Sequence, residues 1–97
     1  MTEQEPVLAG MGTASWSAED GVAYEVALEG INHVVGAYSG LIAQARKAGD
    51  SARVDELLAE QSAWSAKRGS LGPEDRAGVD ALTAESAQAL ERLRSTP

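Results

Sequence analysis

Residues 17–49 read SAEDGVAYEVALEGINHVVGAYSGLIAQARKAG, and the fold depends on what this run becomes. Ser17-Ala18-Glu19-Asp20 is a helix start. Ser17 can accept a backbone N–H as N-cap, while Glu19 and Asp20 complement the positive end of the helix dipole. From there Tyr24, Leu28, Ile31, Val35, Tyr38, Ile42 and Ala45 recur with alternating steps of four and three. That spacing predicts an a/d seam sustained for about three heptads, widened on one flank by Ala27, Val34 and Leu41. Arg46 and Lys47 suit the negative end, and Gly49 fits the left-handed position just past a helix. The first helix is expected to span about 31 residues and about 46 Å.

Outward from this helix the chain punctuates itself. Asp50 or Ser51 can cap a second helix, with Val54, Leu57, Leu58 and Trp64 on one face and an end near Arg68. Gly72-Pro73 breaks the chain. Pro73 suits a first helical position, with Glu74 and Asp75 in the first turn. The third helix then carries Val79, Leu82, Ala89, Leu90 and Leu93, is thinly apolar from Thr83 to Gln88, and ends near Arg92 and Arg94. Short joints make neighbouring helices antiparallel. The expected fold is therefore all-α: an up-down-up three-helix bundle with a long first helix, formed by residues 17–97. Residues 1–16 read as a flexible N-terminal tail in which Met11 is an alternative start and Trp16 folds back onto the bundle. The second helix, at about 18 residues or 27 Å, leaves roughly a third of the first without its sequential neighbour.

Composition excludes several function classes. The chain has 97 residues, enough for one core. Eight basic residues face 15 acidic ones for a net charge of −7, which argues against nucleic acid, whose binding draws on Lys and Arg. An acidic surface suits solubility or a basic partner. Cysteine is absent, which excludes disulfides, thiol catalysis and cysteine-held metals and suits a reducing interior. The opening residues lack the basic and apolar regions of a secretory signal. No stretch reaches the roughly 20 apolar residues of a membrane span. A cytoplasmic protein is expected, and the alanine-rich, arginine-over-lysine usage suggests a GC-rich bacterial genome.

One surface stands out. Sixteen residues between Glu29 and Arg46 carry no formal charge. On the face opposite the seam lie Gly30, His33, Gly36, Ala37 and Gly40, where an ordinary exposed face would carry Glu, Lys and Arg. Glycine inside a helix costs about 1 kcal/mol relative to alanine, a cost that makes sense where another backbone must come close. Gly36 and Gly40 have the small-xxx-small spacing that permits it. These five residues are the expected partner-binding surface, most simply for a second copy.

Chemistry-bearing residues are sparse. Glu25, Glu29 and His33 recur every fourth residue, but the outer two are about 12 Å apart along a helix, too far to share one ion. Glu29 and His33 alone offer two ligands where zinc generally takes three or four. The acid pairs Glu25/Glu29 and Glu56/Glu60 lie on helix surfaces. No catalytic residue, metal, cofactor or small-molecule substrate is expected.

Asp50-Ser51-Ala52-Arg53-Val54-Asp55-Glu56-Leu57 resembles the prosthetic-group segment of acyl carrier proteins, in which an Asp-Ser opens a helix. The resemblance covers eight residues and implies a phosphopantetheine arm on Ser51. The chain departs from that family at Ala52, where a larger apolar residue follows the serine, and in lacking a long loop before it. ESAT-type secreted helical hairpins resemble the chain in size and acidity only, because Trp64 is followed by Ser65 and Ala66 and not by a Trp-x-Gly turn. The expected function is a non-enzymatic, self-associating helical interaction module. The alternative is an acidic neutralising protein, antitoxin- or immunity-like, that covers a basic partner through its tail and Glu19, Asp20, Glu25 and Glu29.

Overall fold

The computed structural model describes residues 17–96, so the expected tail, Met11, Trp16 and Pro97 lie outside the described residues. The fold is an all-α three-helix bundle: α1 Ala18–Lys47, α2 Ser51–Ala66 and α3 Arg76–Arg94, with a 3-10 turn at Lys67–Gly69. No strand occurs among the described residues.

Each helix end has a local cause. Ser17 Oγ accepts the Asp20 backbone N–H, and Asp20 Oδ2 accepts the Ser17 N–H, both at 3.1 Å, so two backbone donors are satisfied reciprocally. At the other end of α1, Gly49 takes φ +72°. There the Asp50 N–H reaches Ala45 O at 2.9 Å and the Gly49 N–H reaches Arg46 O at 3.0 Å. This is the Schellman arrangement, and a side chain at position 49 would strain it. Asp50 then caps α2 by accepting the Arg53 N–H at 3.1 Å. The turn is so short that α2 must fold straight back along α1.

Helix α3 starts later than the sequence predicts. Its N-cap is Asp75, which accepts the Gly78 N–H at 3.0 Å, and Pro73 and Glu74 lie in the turn before it. Geometry explains the delay. Arg68 at the end of the 3-10 turn donates to Asn32 Oδ1, midway along α1. The start of α3 is fixed near the N-terminus of α1 by Arg76 Nη1, 2.9 Å from Asp20 Oδ1. The levels of Asn32 and Asp20 are about 18 Å apart along a helix. The six residues 70–75 make this journey with a single hydrogen-bonded turn, from the Asp75 N–H to Gly72 O at 3.1 Å, whereas six helical ones would cover only about 9 Å. The connection carries Leu71 against the core, so part of α1 beyond the end of α2 is covered by this segment.

The core runs down one broad arc of α1: Ala27, Ile31, Val34, Tyr38, Ile42 and Ala45 are buried, together with Leu57 and Trp64 of α2 and Val79, Leu82 and Ala89 of α3. Leu28 and Val35, placed by spacing at the centre of the seam, are only half-buried. The arc is thus rotated toward the flank of Ala27 and Val34. Helices α2 and α3 both pack on α1, and no Cα of one comes within 8 Å of a Cα of the other. Two separate neighbours widen the buried arc beyond what a single seam describes.

Candidate functional site

The five residues expected at a partner surface divide into two groups. Gly30 faces inward toward α3: a Cβ built there would lie 3.1 Å from Ser86 Cβ. Its glycine therefore lets α1 and α3 approach within the chain. The exchange is not free of cost, because Ser86 is 2% exposed and its Oγ makes no hydrogen bond among the described residues. An unmade bond of this kind costs about 1–3 kcal/mol.

The other four come together. His33, Gly36, Ala37 and Gly40 line one open groove with Leu90 and Leu93 of α3. His33, Gly36 and Gly40 are exposed and Ala37 is half-buried. Among the described residues, a Cβ at Gly36 or Gly40 would meet nothing within 4 Å, so no contact there accounts for these two glycines. Leu90 and Leu93, expected on the apolar face of the third helix, are half-buried against the core and also form one wall of this groove. Farther toward the N-terminus the same face carries the large apolar side chains of Val22, 64% exposed, and Val26, 49% exposed.

The flank toward α2 is closed by polar bonds. Gln61 Nε2 donates to Val35 O and to Ser39 Oγ, both at 2.9 Å. Tyr38 donates its hydroxyl hydrogen to Glu60 Oε1 at 3.0 Å. Burial first, and the neighbouring Glu60 carboxylate next, hold the Tyr38 hydroxyl protonated above its ordinary range. Tyr38, Glu60 and Arg53 line an open groove between α2 and α3 with Glu91 and Arg92, so that groove carries charges of both signs.

The remaining chemistry-bearing residues are engaged or dispersed. Arg53 pairs with Glu56, and Arg76 bridges Asp20 and Asp80. The backbone N–H bond at Ser17 and the Arg76 guanidinium hold the Asp20 carboxyl below its ordinary range. Asp20 is thus committed to the fold, whereas Glu19, Glu25 and Glu29 of this end of α1 are exposed. Ser51 is exposed at the first position of α2, directly after the Asp50 cap. Asp50 of the Asp-Ser pair is therefore an ordinary N-cap. Among the described residues no three His, Asp or Glu side chains converge to hold a metal ion, and no helix is long and apolar enough to cross a membrane. Comparison of the chain with protein-family models, curated proteins and solved structures finds no match.

Proposed function

We propose that this protein is a non-enzymatic helical interaction module, acting in the cytoplasm, that pairs with a second copy through the outer face of α1. The observation that carries the reading is the bare space over Gly36 and Gly40. Two glycines inside a helix cost about 1 kcal/mol each relative to alanine, and no contact among the described residues offsets that cost. A second backbone seated there would use the space. Two-fold symmetry sets such a patch against itself. Absent cysteine suits a reducing compartment. The neutralising alternative calls on Glu19, Glu25 and Glu29 and needs a basic partner before any complex forms.

Replacing either glycine with glutamate tests the reading. Gly36→Glu and Gly40→Glu place bulk and like charge in the contact while improving helix propensity. The expected result by light scattering is a dimeric parent and monomeric, fully helical variants. Variants that keep the dimer would remove this face from the contact. A parent that forms a complex only when a basic protein is added would favour the neutralising reading.

A further inference from the structure

The outer face of α1 has a polarity along its length. Val22, Val26, Glu29 and His33 occupy its N-terminal half, and Gly36, Gly40, Ala43 and Lys47 continue it. The steps alternate four and three throughout, and every one of these residues is exposed. The first half is made of large side chains and the second, up to Lys47, of glycine and alanine. Charge divides the same way. Residues 18–32 contain Glu19, Asp20, Glu25 and Glu29 and no base, whereas residues 33–47 contain Arg46 and Lys47 and no acid.

An alternation of four and three is symmetric about its midpoint, which falls between His33 and Gly36. We propose, resting on the self-association argued above, that the second copy lies antiparallel to α1 about that midpoint. In this register Val26 meets Ala43 of the second copy, Glu29 meets its Gly40, and His33 meets its Gly36. Each large side chain is seated over a small one, and the glycines let the two axes approach. Val22 and the acidic half lie beside Lys47 and Arg46 of the second copy, so the charges are complementary, and the two helix dipoles are opposed favourably. A parallel pair would set Glu29 on Glu29, Lys47 on Lys47 and glycine on glycine, combining like-charge repulsion with voids.

Beside the stripe, Val26, Glu29, His33 and Ser86 line an open cleft, and among the described residues the buried Ser86 hydroxyl has no hydrogen-bond partner. A second copy along the stripe would close that cleft.

The chain has no cysteine, so single cysteines can report the register. Val26→Cys and Ala43→Cys alter exposed positions. In the antiparallel register the two copies of Val26 lie about 25 Å apart along the axis, well beyond the roughly 7 Å Cα separation that a disulfide spans. An equimolar mixture of the two variants under mild oxidation should therefore give the mixed disulfide as its dominant product. Val26→Cys alone should give almost none. Efficient self-linkage of Val26→Cys would overturn the antiparallel orientation while leaving the self-association standing. A mixture that keeps the dimer mass but forms no disulfide would overturn the register. A monomeric parent before oxidation would overturn both proposals.

Discussion

Among the described residues a methyl group placed at Gly36 or Gly40 meets nothing within 4 Å, whereas one at Gly30 would lie 3.1 Å from Ser86 Cβ. The three glycines looked alike in the sequence, because a glycine in a helix signals close approach without saying to what. Alanine separates them. In dilute protein, Gly36→Ala and Gly40→Ala should each stabilise the fold by about 1 kcal/mol through helix propensity. Gly30→Ala should gain less than either, since α3 must give way. Denaturant midpoints decide it, and three equal gains would mean that Ser86 does not press on Gly30. Tyr38 makes a second test at this scale. In the unfolded chain its phenol ionises near the ordinary value of 10.0, while the folded state holds the proton to higher pH. The unfolded state then binds fewer protons, so stability should fall as pH rises past 10.0. Tyr38→Phe should cost about 1 kcal/mol at neutral pH for the lost Glu60 bond and flatten that alkaline decline. An unchanged decline would assign it to other groups.

Helix α1 shows what periodicity can and cannot deliver. Its ends were legible to the residue, because Ser17, Asp20 and Gly49 act on their own backbone neighbours. Its buried arc was legible only to within a rotation. A four-three pattern encodes one seam, but α2 and α3 press on α1 from two sides, and their joint position favours Ala27 and Val34 over Leu28 and Val35. The start of α3 was misplaced for a similar reason: Pro73 satisfies every local rule for a first turn, yet the chain still has to travel along α1. Of the candidate surface, the clustering of His33, Gly36, Ala37 and Gly40 followed from helical spacing alone. The inward role of Gly30 did not, because it depends on where α3 lies. The rotated arc has a direct consequence. Ile31 and Leu57 are almost fully buried, and Ile31→Ala or Leu57→Ala should cost about 2–5 kcal/mol. Leu28→Ala should cost less than half as much. Equal losses at Leu28 and Ile31, measured by thermal or denaturant unfolding, would return the centre of the arc to where the spacing placed it.

At the scale of the whole molecule, one long helix carries two shorter ones and, among the described residues, leaves its outer side open. That open side holds exposed valines at one end, bare glycines in the middle and basic residues at the other end. Within the described residues a single chain leaves these glycines uncovered and the Ser86 hydroxyl beside an open cleft. The proposed pair of chains would give each feature a role with helical surfaces alone. The stripe is narrow, so the contact falls at the small end of protein interfaces and should be reversible on dilution. Sedimentation equilibrium of the unmodified chain across a dilution series decides whether two chains pair. Pairing through the outer face of α1 requires a monomer–dimer equilibrium whose limiting mass, at about 100 µM where a contact of this size should be populated, approaches twice the 10.1 kDa of one chain. A mass that stays at one chain over the whole series would contradict it.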